Sequence, residues 1–412
     1  MKTEVKYAVY VGLDWADKKH DVCIQSNGQT QREFFVIEHS PESIDRWVKS
    51  LHKKYKGKIA IAVELNKGPI IFALQKYSFV TVFPVHAATL AKYRETFTSS
   101  GAKNDPRDAE IALELLLNYP EKFKPLKQQG DTIRKLAVLV EKRRGLVDDK
   151  RRFVNQLICA LKHYYPQTLD WFSHRNTELF CDFIVRWPTL EKFKRSHEQT
   201  IRNFFKSYGG QSMVNINERL AQRKKAMPLT EDLAIIEPYQ LLAKSLASLI
   251  KTSIMVIREF DKQIAELFHE TQDSKIFESL PGVGICLAPR LLVAFGEDRS
   301  RFNNASELQA YTGVAPVTVS SGQKTWIHWR WQCAKFVRQT IIEWAAKSVR
   351  SSYWASLYYE QQRAKGNSHQ AAVRALAFKW IRIVFKCWKD RVVYDETKYL
   401  QALRKRNSPL VS

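Results

Sequence analysis

Four carboxylates in this sequence stand where phosphodiester chemistry would use them. Asp105 and Asp108 lie in Asn104-Asp105-Pro106-Arg107-Asp108-Ala109-Glu110. Asp105 reads as a helix N-cap and Pro106 as the first helical residue, so Asp108 falls one turn on, on the same face. Taken alone, the pair is first of all a capping box, because Asp suits both positions. Asp14 and Glu64, each at the end of an apolar, β-branched run, change that reading. Four acids brought together repel and raise one another's pKa. Mg²⁺, or Mn²⁺ in its place, removes that cost, and two ions can clamp the attacking and leaving oxygens of a phosphodiester.

The elements that must position these acids are legible upstream. Residues 6–14, 21–25, 32–37, 58–64 and 79–85 read as strands from their Val, Ile and aromatic content. Ser40-Pro41-Glu42-Ser43 starts a helix with Ile44, Trp47, Val48 and Leu51 as its apolar stripe, Gly68-Pro69 opens a second, and 87–93 gives a third. A basic loop over 98–103 then leads to Asp105. Three strands, then alternating helices and strands, is the order of an α/β ribonuclease H-like domain. In such a sheet ligands gather at the carboxyl ends of the strands, where Asp14 and Glu64 lie.

Charge divides the chain further. It has 412 residues and a formal net charge of +24, distributed as +4 over 1–125, +8 over 126–275 and +12 over 276–412. The last segment is built to face a polyanion, and nucleic acid is the expected partner. With 45% hydrophobic residues the chain is no disordered basic tail, and no lipidation motif or long apolar run points to a membrane. Six cysteines, at 23, 159, 181, 286, 333 and 387, lack metal-ligand spacing and read as buried, reduced thiols of a cytoplasmic protein. Met-Lys-Thr-Glu-Val has no signal-peptide hydrophobic region.

Residues 126–161 read as a basic helix. Trp171, Phe172, Phe180, Phe183, Trp187, Phe193, Phe204 and Phe205 read as the core of a small helical insert over 163–228, with base stacking the sharper alternative. Tyr239, Leu242, Leu246, Leu249, Ser253, Val256, Phe260 and Leu267 form a heptad stripe for a coiled-coil arm, pairing with the earlier helix or with another subunit. Pro281-Gly282-Val283-Gly284 resembles a helix-hairpin-helix turn whose Gly282 and Gly284 would let backbone N–H groups reach a phosphate. Around Trp326, Trp329 and Trp331, the bases Lys324, Arg330, Lys335 and Arg338 suit nucleic-acid contact. A helix over 370–388 reads as a surface element with a phosphate-facing side carrying Arg374, Lys379, Arg382 and Lys386.

The order Val11-Gly-Leu-Asp14, Val63-Glu64, Asp105-x-x-Asp108-Ala109, Leu280-Pro-Gly-Val-Gly284, Thr312-Gly-Val-Ala-Pro316 and Ser321-Gly322 resembles the DEDD insertion-sequence transposases, the bridge-RNA-guided recombinases. The resemblance spans about residues 5–115 and 275–390. It implies a RuvC-like domain over 1–125, with Asp14, Glu64, Asp105 and Asp108 holding Mg²⁺. The middle, 126–275, reads from its own heptad pattern as a helical coiled-coil region with the aromatic-rich insert, and the resemblance implies a mostly α transposase domain over 276–412. Ser321 would be the nucleophile of a covalent phosphoserine link to DNA, with Ser320 the alternative next to it. The implied partners are donor and target DNA, a structured bridge RNA, and further copies of the chain as dimers assembling to tetramers, in the bacterial cytoplasm at the nucleoid. The sequence departs from the family after the serine, where Thr-Trp-Ile-His-Trp-Arg-Trp-Gln replaces Gly-rich basic text, and in the 163–228 insert. Two rivals predict different chemistry: a Holliday-junction-type endonuclease in which water attacks, and a non-catalytic nucleic-acid-binding scaffold.

Overall fold

Runs of Val, Ile and Ala long enough for a strand and too short for a helix build the first part of the chain. In the computed structural model, which describes residues 6–97, 105–209, 212–408 and 410, the chain forms two compact units, Met1–Gln128 and Gln129–Ser412. The first contains β1 (Val9–Trp15), β2 (Lys19–Ser26), β3 (Arg32–Glu38), α1 (Pro41–Tyr55), β4 (Ile59–Val63), α2 (Pro69–Leu74), β5 (Val80–Pro84), α3 (Ala87–Phe97) and α4 (Asp105–Asn118). The strand order is β3-β2-β1-β4-β5. The first three strands are antiparallel, and β1, β4 and β5 run parallel. This is the ribonuclease H-like sheet that the strand order predicts.

The central strand β4, Ile-Ala-Ile-Ala-Val, is buried along its whole length. Its branched residues pack with Val9, Val11 and Leu13 against Val48 of α1 and Leu74 of α2. Its two alanines face the other way, with Ile111 and Leu115 of α4. Small residues bring that second helix close. A Cβ on Gly12 of β1 would lie 1.9 Å from the Ala109 carbonyl oxygen and 2.6 Å from the Leu113 nitrogen, so α4 can lie on β1 only because residue 12 has no side chain. The start of α4 is thereby tied to the end of β1.

The second unit is mainly helical. It runs α5 (Asp131–Tyr164), α6 (Gln167–Trp171), α7 (Glu178–Arg186), α8 (Leu190–Arg195), α9 (Glu198–Ser207), α10 (Met213–Lys225), α11 (Leu233–His269), α12 (Ser274–Glu278), α13 (Gly284–Phe295) and α14 (Ala305–Tyr311). A hairpin of β6 (Val317–Ser321) and β7 (Lys324–His328) follows, then α15 (Lys335–Ser348), α16 (Tyr353–Ala364), α17 (His369–Asp390) and α18 (Glu396–Lys405). Two separate cores share the long pair α5 and α11. Ile133, Leu136 and Val140 of α5 join Ile264 and Phe268 of α11 in the core of the C-terminal helices. Leu157, Leu161 and Tyr164 join Ala243, Leu246 and Ile250 in the core of the insert.

The insert is an aromatic core. All eight of its predicted rings are buried, with Phe183 at 4.8 Å from Phe172 and 4.9 Å from Phe193. Base stacking there is overturned, since a ring in van der Waals contact on all sides has no face left for a base.

Two further expectations change. On α11 the buried stripe is Ala243, Leu246, Ala247, Ile250, Ser253, Ile254 and Ile257, while Leu242, Leu249 and Val256 are exposed. The helix is turned so that the small Ala243 and Ala247 lie in the core it shares with Leu157 and Leu161 of α5. By length and composition α11 could pass for a membrane span; its inner face is the core of this helix pair. The second change concerns part of α17: its stripe of Val373, Leu376, Ala377, Trp380 and Val384 is buried as expected, together with Trp388, and Arg382 and Lys386 are exposed, but the other two bases are not. Arg374 and Lys379 lie over Trp329 and Tyr358, their stems covering apolar surface, and burial lowers the Lys379 pKa. The cysteines are all free, but only Cys23, Cys181 and Cys387 are buried, and Cys159 is exposed.

Candidate active site

The carboxylate end of the first unit is set by strand register. Leu13 pairs with Val63 across the parallel strands β1 and β4. Asp14 and Glu64 are the next residues on each chain, so their backbones are neighbours at the carboxyl end of the sheet, about 4.8 Å being the usual strand spacing. Alternation along β1 puts Asp14 on the Gly12 side, the face that α4 covers. Asp108 immediately precedes Ala109, the residue seated on Gly12, and its side chain is only 6% exposed. Asp105 is the first residue of α4; its side chain and the loop over 98–104 lie outside the described residues.

Sequence reading missed two groups here. Arg94 of α3 donates from Nε to Asp108 Oδ1 at 2.7 Å and from Nη2 at 2.6 Å. Asp21 of β2 pairs directly with Asp14 across the antiparallel strands and is 7% exposed. Alternation places it, with Cys23, on the α4 face, and Cys23 itself packs against Ala109 and Leu113. Burial pushes the Cys23 thiol up to about 12, with Glu110 adding to the shift, so it is a packing residue rather than a nucleophile. Counting outward from the turn at Asp17 and Lys18 would have paired Asp14 with Asp21.

Among the described residues no three Asp, Glu, His or Cys side chains stand close enough to hold a metal ion. Asp108 is turned to Arg94, and Glu64 is exposed at the bend after β4. The donor set nonetheless suits a hard divalent cation, because every candidate ligand is a carboxylate oxygen. Buried Asp108 already draws a cationic partner in Arg94.

Ser321 belongs to the other unit. It is the last residue of β6 and pairs with Lys324 across a two-residue turn. Gly322, at φ +57°, occupies the first central position of that turn, the place where a II′ hairpin requires glycine. Residues 318–328 are exposed throughout. Ser320, on the opposite face, lies 3.4 Å from Thr325 Oγ1. No Asp or Glu occurs between Glu307 and Glu343, while Lys324, Arg330, Lys335 and Arg338 do.

The predicted basic contacts divide in two. Lys324 and Lys335 are exposed. Arg330 donates to the Ala315 carbonyl at 3.2 Å and Arg338 to the Arg330 carbonyl at 3.0 Å. Trp329 is held between Arg338 and Arg374, whose guanidinium carbons lie 4.9 and 4.3 Å from its ring centre. These two arginines therefore anchor the base of the hairpin. At the Pro-Gly-Val-Gly turn, Gly282 (φ +71°) is pressed against the Lys347 backbone, where a Cβ would meet it at 3.0 Å. Gly284 (φ +54°) faces open space, and Ile285 beside it is exposed.

A ribonuclease H-like sheet with acids at its strand ends and a basic helical unit in the same chain suit a protein that acts on nucleic acid. Comparison with known families names the class as transposase: residues 11–166 match a family model described as the DEDD transposase of IS110. Residues 274–360 match one described as the transposase IS116/IS110/IS902 family, and the two together cover more than half of the chain. The chain belongs to the IS110-type DEDD transposases. It is similar to a mini-circle putative transposase for IS117 of Streptomyces coelicolor, 27% identical over 408 residues, which cover 96% of this chain and 97% of that protein. It is also similar to an uncharacterized protein of insertion element IS116 of Streptomyces clavuligerus, 21% identical over 94% of this chain and 96% of the relative. A third relative, an uncharacterized protein of insertion element IS900 of Mycobacterium paratuberculosis, is 23% identical over 82% of this chain and 84% of its own length.

Proposed function

We propose that this transposase works as an RNA-guided DNA recombinase that cuts and rejoins strands through a covalent phosphoserine bond. Ser321 is the nucleophile, and Asp14, Glu64, Asp105 and Asp108 hold Mg²⁺, or Mn²⁺ in its place. The observation that carries this reading is the setting of Ser321: an uncovered hydroxyl at the tip of a hairpin whose flanking sequence bears cations and no acid. A bond forms from Ser321 Oγ to phosphorus as the bond from phosphorus to one deoxyribose oxygen breaks. Oγ loses its proton and the departing oxygen gains one. Attack by a strand-end hydroxyl on the phosphoserine reverses the exchange, so the number of phosphodiesters is conserved and no ATP is consumed. The chemistry Mg²⁺ supplies when bound is charge stabilisation at the phosphoryl oxygens.

An uncovered two-stranded ribbon is marginal by itself. This supports a working state in which the hairpin docks: a dimer that pairs into a tetramer, with the serine of one copy completing the acid cluster of another. A structured bridge RNA selects donor and target DNA in this reading. The test is a denaturing gel of protein incubated with element-end DNA, the RNA flanking its open reading frame, and Mg²⁺. A protein–DNA adduct is expected, absent in Ser321→Ala, in Asp14→Asn, and when the RNA is omitted. An adduct that persists in Ser321→Ala refutes the serine. Cutting without any adduct points to the junction endonuclease that uses water. Binding with no product, with or without Mg²⁺, points to the scaffold.

A further inference from the structure

The hairpin register sorts its side chains onto two faces. Ser321 pairs with Lys324, Val319 with Trp326 and Val317 with His328. Because successive residues alternate sides, Val319, Ser321, Lys324 and Trp326 share one face, while Thr318, Ser320, Thr325 and Ile327 share the other. The Ser320–Thr325 approach at 3.4 Å agrees with that assignment. Trp326 is thus the diagonal neighbour of Ser321, a separation of about 7–8 Å between Cα atoms that large side chains bridge. It is 45% exposed, although a ring of its size would ordinarily be covered. Trp329, three residues on, shows the contrast: two guanidinium groups hold its ring.

We propose that Trp326 is the platform on which a nucleobase next to the scissile phosphate stacks, with Lys324 meeting a phosphate oxygen on the same face. This rests on the reading of Ser321 as nucleophile and gives a physical reason for Ser321 over Ser320: only Ser321 shares a face with both an uncovered ring and a cation. Nucleic acid, rather than protein, is the occupant that the charges select. The 35 residues between Glu307 and Glu343 contain four Lys or Arg and no acid, which suits a polyanion. An indole accepts any base on its face, so Trp326 contributes positioning and affinity with little sequence preference.

The experiment uses the full chain and two readouts. In the first, a fluorescently labelled mixed-sequence single strand is titrated against wild type, Trp326→Ala and Trp326→Phe. Trp326→Ala is expected to bind about tenfold more weakly, with partial recovery in Trp326→Phe. In the second, the adduct assay is run with element-end DNA that is intact or abasic beside the cut. The abasic site should lower wild-type adduct yield and have no further effect on Trp326→Ala, whose own deficit should be recovered at high DNA concentration. Equal binding and equal adduct yield in Trp326→Ala overturn the platform while Ser321 stands. Loss of self-association in Trp326→Ala, with single-strand affinity per subunit unchanged, also overturns it and assigns the ring to a protein interface. An adduct that survives Ser321→Ala instead overturns the nucleophile, and the first readout still reports on Trp326 independently.

Discussion

Two stretches of this chain are dense in aromatic residues, and the fold uses them in opposite ways. Between Trp171 and Tyr208 the rings close on one another, and cations lie against them from outside: the Arg219 guanidinium sits 4.9 Å from the Phe172 ring and 4.8 Å from Phe205. Between Trp326 and Trp331 the rings are spread along a hairpin and its exit, and only Trp329 is held. Both stretches mix rings with Lys or Arg, though only the insert also carries acids. Spacing separates them, because the insert repeats its rings at helical intervals that converge on a centre, whereas a ribbon has no centre to converge on.

Mutation can break or sharpen that contrast. Phe183→Ala removes a fully buried ring from the insert and should cost about 3–5 kcal/mol. Thermal or urea unfolding measures it, and the folded fraction should keep its DNA affinity. A loss of affinity without a loss of stability would make the insert a stacking surface after all. Gly12→Ala provides a reference site without rings, where an added methyl meets the Ala109 carbonyl. It should cost about 1–3 kcal/mol and reduce adduct yield beyond the folded fraction, because it moves Asp108 away from Asp14; unchanged yield would show that the α4 seat is loose. Trp329→Ala loses two guanidinium contacts worth about 0.5–1 kcal/mol each. Unfolding should show it, and Arg338→Ala in the same background should then add little. Trp326→Ala should change stability by less than about 0.5 kcal/mol. A larger destabilisation would mean that its exposed ring supports the fold.

What the sequence made legible follows the same physics. The first unit was readable because its strands are short, branched and separated by turn residues, and their order left one sheet topology. Asp14 and Glu64 could be placed at the strand ends for that reason. Asp21 was not, since a polar residue opening a strand looks like part of the turn until the register is known. On α11 the pattern failed for a different reason. From Leu241 to Ile257 only Lys244 and Lys251 carry charge, so nearly every face is apolar, and the packing choice falls to the alanines. On α17 the long stems of Arg374 and Lys379 read as solvent markers, though they lie across aromatic rings. The opposite faces of Ser320 and Ser321 become definite only with the register, because they depend on which residues stand across the ribbon.

The long helix pair has a consequence for how the second unit melts. Between Val140 and Leu157 no residue of α5 is fully buried, a span of about 25 Å at 1.5 Å per residue. The insert and the C-terminal bundle therefore keep separate cores on one helix pair, with Ser253, Ile254 and Ile257 of α11 the buried residues in between. Damage to either can stay local, as in a dumbbell whose weights are replaced one at a time.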